Sequence, residues 1–528
     1  MAGGDGSAPV FASTVGRVLE RSARRTPDRL ALTFGERSWS YTELDCAVGR
    51  VAAGLLGLGL VRGDRVAAFG KNSDAYLLLY LGCARAGLVH VPVNFNARAA
   101  ELAYLLTQSA PAAVFCDPEL EEYANAVADA TGSIRRGSLR DEAVEHNVLR
   151  WATDECGIAH EENGVRDDDL VQLLYTSGTT AQAKGAMLTH RALVHEYMSC
   201  IAALDLAAPD IPLHALPLYH SAQMHVFLLP GLAVGAVNHL VEAPDLDAIL
   251  EQVPREGITS LFFPPTVWVG LANHPGLASA DLSSLQKAYY GASIMPVPVL
   301  RKLRERLPTV GFYNCFGQSE IGPLATVLRP EEHDQRPDSV GRSVLFVETR
   351  VVDADMNDVT PGELGEVVYR SPQLCTGYWE KPEETAEAFD GGWFHSGDLV
   401  RIDDEGYMFV VDRIKDVVNT GGVLVASREI EDALYGHPAV AEAAVIGLPH
   451  ERWIEAISAV VVLKEDVEPD ALIEFAKQHL AAYKVPKSVH VVDELPKNAS
   501  GKLLKRELRR AFGGSESAVA ASRGQATT

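Results

Sequence analysis

From Thr42 the segment TELDCAVGRVAAGLLGLGL sets apolar residues at helical spacing, which predicts a helix with Thr42 as its cap and Glu43 in its first turn. RVAAF (65–69) then reads as a buried strand, AYLLLYLGCARAG (75–87) as a helix and VHVPV (89–93) as a second strand. Alternation of this kind runs to about residue 310 and predicts parallel sheets covered by helices, an α/β fold. Near residue 340 the texture changes. Short runs such as TRVVD and GEVVYRS sit between Pro and Gly turns and predict a β-rich subdomain over about 340–411. After Asp412-Arg413 the order is EIEDALYG as helix, VAEAAVIG and AISAVVVL as strands, and ALIEFAKQHL as helix, a small α+β module. The expected organisation is a flexible arm (1–12), a large N-terminal domain (13–411), a small mobile C-terminal domain (412–511) and a disordered tail (512–528) poor in large apolar residues.

Composition narrows the partners. With 528 residues, 47% of them hydrophobic, the chain can bury a large core. Its 47 basic and 71 acidic residues leave a formal charge of −24, which excludes a duplex-sized nucleic-acid surface, since phosphate binding on that scale needs clustered cations. A small phosphorylated ligand stays open, because backbone amides and two or three cations suffice for it. The seven cysteines (46, 83, 116, 156, 200, 315, 375) are scattered and include no CxxC pair, which argues against a disulfide framework or a structural zinc and fits a reducing compartment. The start, MAGGDGSAPVFAS, lacks the basic and apolar regions of a signal peptide, and the longest apolar run, Val226 to Val237, holds Pro and Gly and is too short for a bilayer. The expectation is a cytoplasmic protein with no integral membrane segment.

The strongest chemical signal is LLYTSGTTAQAKGAMLTH (173–190). A buried strand (Leu173, Leu174, Tyr175) enters Thr176, Ser177, Gly178, Thr179 and Thr180, followed by Lys184 and Gly185. Hydroxyls and amides bond phosphate oxygens, glycine lets the backbone approach and lysine neutralises charge. GxxxxGK[ST] does not match, so this is no Walker A loop. The bland alternative is a surface Ser/Thr loop between a strand and a helix.

The loop resembles YTSGTTGxPKG of the AMP-forming adenylation superfamily, which includes acyl-CoA synthetases, peptide-synthetase adenylation domains and luciferases; here Ala181 and Ala183 replace the usual Gly and Pro. NCFGQSEIG (314–322) is similar to the family's YGxTE motif. The resemblance implies nucleotide contacts from Asn314, Cys315, Phe316, Gly317 and Ser319, with Glu320 holding Mg²⁺. YYGAS (289–293) resembles the adenine- and acyl-facing strand, with Gly291, Ala292 and Ser293 beside the ligand and Gly291 kept small for it. WFHSGDL (393–399) resembles WxxTGD, which implies that Asp398 accepts the ribose hydroxyls. DRIKDVVNTGG (412–422) resembles the hinge motif, with Arg413 toward the nucleotide, Lys415 as hinge and Gly421 beside the thiol tunnel; Ser427-Arg428 stands where a Pro is usual. LPKNASGKLLKREL (495–508) resembles the C-terminal PKxxxGK signature and makes Lys502 the lysine of the first chemical step.

The resemblance covers about residues 15 to 511 and is nearest to fatty-acyl-CoA ligases. It implies catalytic roles for Thr176, Lys184, Glu320 and Lys502, with ATP, Mg²⁺ and CoA as reactants. A carboxylate would attack the α-phosphate, and a thiol would then displace AMP after the small domain turns about Lys415. LPLYHSAQMH (216–225) places His220 where the family often gates the acyl channel, with a hydrogen-bonded core histidine as the equal alternative. FFPPTVW (262–268) resembles a pocket-lining strand with Thr266 and Trp268 on the acid and Trp268 able to cap it. No carboxylate for an amine is evident near residue 219, which favours a fatty or aromatic acid. Three alternatives stand beside it: transfer to a carrier protein or an amine, activation of nitrite to diazotise an aryl amine in secondary metabolism, and a non-catalytic nucleotide binder. Homodimerisation is left open.

Overall fold

The computed structural model describes residues 13–131, 134–141, 143–154, 157, 160, 164–176, 182–293, 295–497 and 503–513. The expected arm, the tail beyond residue 513, Ser177 to Ala181 and Lys502 lie outside the described residues. The chain divides into two compact units, one within Met1–Thr349 and Tyr369–Phe394, the other within Arg350–Val368 and His395–Thr528.

The first unit is α/β. Its six-stranded sheet runs Arg135–Ser138, Ala113–Cys116, Arg65–Phe69, Val89–Val93, Leu170–Thr176 and Lys184–Thr189. All neighbours pair in parallel except the last two, which form an antiparallel ladder. Strands of this sheet such as VHVPV are buried along their whole length because helices cover both faces, hence their unbroken apolar runs. The helix Asp74–Ala86 is buried all round, which explains why it shows no polar stripe. Ser73 caps its start by accepting the Tyr76 N–H, and Gly87 ends it at φ +71°. The helix expected from Thr42 spans Tyr41–Gly57. Its cap is Ser40, two residues earlier, in a capping box with Glu43.

The nine-stranded sheet is ordered Arg342–Ser343, Thr326–Leu328, Gly311–Phe316, Lys287–Gly291, Ser260–Phe263, Pro212–His214, Asn238–Leu240, Leu30–Phe34 and Arg37–Ser40. Its middle is parallel and its two edges antiparallel. One face rests on a core holding Phe263, Trp268 and Phe312.

A four-stranded sheet orders Glu348–Val352, Leu364–Arg370, Phe394–Ile402 and Met408–Arg413, most of it in the second unit. There the hairpin of Val440–His450 and Ile454–Leu463 carries Ser488–Val491 in parallel and packs the helices Ser427–Tyr435 and Pro469–His479. Among the described residues no helix is long and apolar enough to cross a membrane.

Candidate functional site

Within the first unit, Thr176 ends one strand and Lys184 begins the next, and the two are cross-strand partners. The Ser/Thr-rich run thus stands in sequence between two antiparallel strands, and the helix His190–Ala203 starts only after the second of them. This corrects the reading of a strand-to-helix loop. Periodicity missed the second strand because KGAMLT is almost wholly buried and does not alternate. The hairpin is anchored from behind: Tyr104 donates to the Ala183 carbonyl at 2.8 Å, and the Tyr175 hydroxyl donates to Gln108.

Glu320 lies in a short turn, Ser319–Ile321, directly after the strand Gly311–Phe316. Its carboxylate accepts from the Thr176 hydroxyl at 3.0 Å and the Tyr378 hydroxyl at 3.2 Å, and the residue is 8% exposed. Lys184, 7% exposed, sets its ammonium 4.9 Å from the centre of the Tyr378 ring. Burial, and then the nearby Glu320 charge, hold the Tyr378 phenol far above its ordinary pKa, so it stays a donor. Thr176, Lys184 and Glu320 therefore meet at one place, joined by Tyr378. Sequence reasoning missed Tyr378; its only signal was the string TGYW (376–379) following a strand. Ser319 shares a 3.0 Å hydroxyl–hydroxyl bond with Ser221, another residue not singled out.

Other predicted residues have structural duties of their own. Gly317 adopts φ +153°, and a Cβ there would lie 2.0 Å from the Pro323 carbonyl oxygen. Asn314 donates to the Ser339 carbonyl at 2.9 Å. Cys315 is buried, which raises its thiol pKa, and Phe316 is half-buried. Gly291 needs no ligand to explain it: a Cβ would sit 2.3 Å from the Cys315 carbonyl oxygen on the neighbouring strand. Ala292, at φ +65°, and Ser293 are exposed beyond the strand end.

Trp268 corrects the expectation of a pocket cap. It lies on a helix, Pro265–Ala272, and not on a strand; it is 0% exposed, packs on Phe263 and Phe312, and donates to the Tyr289 carbonyl at 3.0 Å. Its buried donor is satisfied by the sheet. Thr266, on the same helix, is exposed. His220 leans on Tyr219, its ring pKa lowered to about 4 by burial, and its Nε2 is a buried atom with no hydrogen-bond partner among the described residues.

In the second unit Asp398 and Arg413 are opposed on paired strands and joined by an ion pair of 2.6 Å. Asp398 is 3% exposed, and its own N–H donates to Ser396 at 3.0 Å. Lys415 follows in the turn Ile414–Asp416, its pKa lowered by burial; the Asp416 charge works against that lowering, and Arg413, Arg509 and Arg506 add to it. Asp416 is held by Arg509 at 2.8 Å. Gly421 adopts φ +64° and donates to the Trp453 carbonyl at 2.6 Å, so its backbone conformation alone favours glycine. Ser427 donates from its N–H (2.7 Å) and its hydroxyl (2.6 Å) to Asp412. A proline at 427 could make neither bond, which gives that departure a physical reason.

A phosphate-suited hairpin beside a buried carboxylate and lysine is one feature; the comparisons with known proteins supply the other. A feruloyl-CoA synthase of Amycolatopsis sp is 38% identical over 498 residues, 93% of this chain and 98% of the relative. An indoleacetate–CoA ligase of Aromatoleum aromaticum is 32% identical over 501 residues, 93% and 97% of the two chains. The crystal structure of ATP-bound MatB from Rhodopseudomonas palustris superposes with a TM-score of 0.86 at 31% identity, covering 96% of this chain and 99% of that one. Residues 19–379 match the AMP-binding enzyme family and residues 429–502 its C-terminal domain, and with these likenesses along nearly its whole length the chain belongs to the AMP-binding enzyme family.

Proposed function

We propose that this enzyme activates an aromatic carboxylic acid with ATP as an acyl-adenylate and passes the acyl group to the thiol of CoA. The observation that carries the reading is the cluster of Thr176, Glu320, Tyr378 and Lys184 at the mouth of the hairpin. The aromatic preference is supported by relatives named for feruloyl and indoleacetate substrates. Relatives named as long-chain fatty acid ligases, 32% identical, support a fatty acid as the second reading.

The donor set suits Mg²⁺. Glu320 offers hard carboxylate oxygen, Thr176 a hydroxyl beside it, and among the described residues no cluster of three His, Cys, Asp or Glu side chains gathers as a cage. Mg²⁺ is commonly held by one or two carboxylates together with substrate phosphates. Bound there on Glu320, the ion would neutralise charge on the phosphates. The chain's own groups do the rest. Thr176 and Lys184 bind and orient the triphosphate, with the Lys184 charge beside the departing pyrophosphate. The substrate carboxylate is ionised at neutral pH, so its attack on the α-phosphorus needs no base. Asp398 takes the ribose hydroxyls, Arg413 holds Asp398 in place, and Lys502 serves the adenylation step. The CoA sulfur then attacks the acyl carbon and AMP leaves.

The test is pyrophosphate release with ferulate, indoleacetate, a long-chain fatty acid, and nitrite plus an aryl amine, each with and without CoA. Acid-dependent release continuing to AMP and thioester with an aromatic acid and CoA is the expected result. Release with nitrite and amine in place of an acid, thioester formation on a carrier protein alone, or no release would overturn it. In the same assay Lys502→Ala is expected to cut adenylate formation by orders of magnitude yet spare thioester formation from supplied acyl-AMP; equal loss in both would remove Lys502 from its role.

A further inference from the structure

Glu196 stands on the helix His190–Ala203 and is 0% exposed. A carboxyl so placed costs stability unless it is bonded on every side. One oxygen accepts the Leu324 N–H at 2.9 Å and the Cys200 thiol at 3.3 Å, and the other accepts from the Gln373 amide. Gln373, also 0% exposed, has its amide nitrogen 3.3 Å from the Ile321 carbonyl and 3.2 Å from that of Leu324. Between those two residues Gly322 adopts φ +104°, and a Cβ there would meet a Glu196 carboxyl oxygen at 3.0 Å. The turn presses against the carboxyl at the one residue with no side chain. From the other side the Cys375 N–H donates to the Glu320 carbonyl at 2.7 Å.

We propose that Glu196 and Gln373 are positioning residues: a buried carboxyl–amide clamp that grips the backbone of residues 321–324 and so fixes the aim of the Glu320 carboxylate. The inference rests on the proposed role of Glu320 toward a nucleotide-bound divalent ion. Neither residue touches the Glu320 carboxylate; they act on it through the turn. Two side chains far apart in sequence converge on four residues of backbone directly after the acidic group, where a purely space-filling helix would carry a leucine.

The test is binding of Mn²⁺ by the full-length protein in the presence of ATP, read by electron paramagnetic resonance, with thermal midpoints in parallel. Glu196→Gln keeps an acceptor for the Leu324 N–H, whereas at similar volume Glu196→Leu removes the hold on that N–H and Gln373→Leu the hold on the Ile321 and Leu324 carbonyls. The two leucine variants are expected to weaken Mn²⁺ binding by about tenfold, and Glu196→Gln by no more than about twofold, as outer-shell partners of metal ligands do. Glu320→Gln, which leaves the clamp intact, should abolish binding. If wild type and all clamp variants bind Mn²⁺ alike, whatever their thermal midpoints, the clamp is only structural and the inference falls while the reading of Glu320 stands. If wild type binds no Mn²⁺ with ATP, the reading of Glu320 falls and takes the clamp with it.

Discussion

Tyr378 places its ring against the Lys184 ammonium and its hydroxyl on the Glu320 carboxylate, so one side chain sets the spacing of a cation and an anion. The two contributions separate by substitution. Tyr378→Phe keeps the ring and removes a hydrogen bond to a charged group, a type worth about 1.5–3 kcal/mol. At 3.2 Å the bond belongs at the weak end of that range, so a loss of about tenfold in kcat/KM for ATP is expected. Tyr378→Leu removes both contacts and should lose more. Equal activity of Tyr378→Phe and wild type would show the phenol to be idle. Thr176 and Lys184 were legible because hydroxyls, glycine and lysine in one short run advertise phosphate binding in the sequence itself, whereas Glu320 was reached only through the resemblance of its string to the YGxTE motif. Tyr378 and Ser221 were out of reach, since an aromatic residue or a serine acquires a role only from neighbours that the fold supplies.

At the scale of elements, the strands and helices with unbroken apolar runs or clean periodicity stand where the sequence puts them, among them Arg65–Phe69, Val89–Val93 and Asp74–Ala86. Two readings failed for different reasons. KGAMLT is buried along nearly its whole length, which erases its period. Pro265–Ala272 buries one face through Pro265, Trp268, Leu271 and Ala272 but is too short and too apolar on its other positions for that period to show in the sequence. Gly291 yields the sharper lesson. A ligand-facing strand end explains a small residue there, but the neighbouring Cys315 carbonyl already demands one. Gly291→Ala should therefore force apart Lys287–Gly291 and Gly311–Phe316 in the protein without ligand, costing about 1–3 kcal/mol, as overpacked cores do. Denaturant unfolding of the ligand-free protein measures it. Unchanged stability with lost activity would return Gly291 to a ligand-facing role.

Across the first unit, a buried polar chain runs from His90 through Gln172 and His225 to Tyr197, joining two strands of the six-stranded sheet to two helical segments. Burial holds His90 and His225 at about 3, and His190, His214, His220 and His333 at about 4, against 6.5 for the free side chain. Below about pH 6.5 the unfolded chain thus binds more protons than the native one, and stability is lost as the pH falls toward the native values. Glu196 runs the other way. Burial pushes it up to about 8 from 4.5, so its contribution falls as pH rises between those values. Burial raises Asp117 and Asp432 in the same sense as Glu196, and six strongly lowered imidazoles against these three carboxyls make the acid side dominate. The thermal midpoint is expected to drop steadily between about pH 6.5 and 4.5, and a flat profile there would contradict the burial of these rings.

The pairing of Thr176 with Lys184 carries a practical consequence. Thr176 and Lys184 are fixed posts of the sheet, and Tyr104 braces the Ala183 carbonyl beside the second of them. The glycine and proline of the wider family can be grafted back at 181 and 183 between those posts, since a proline at 183 keeps the carbonyl that Tyr104 bonds, and turnover then compares the two loops on one unchanged sheet.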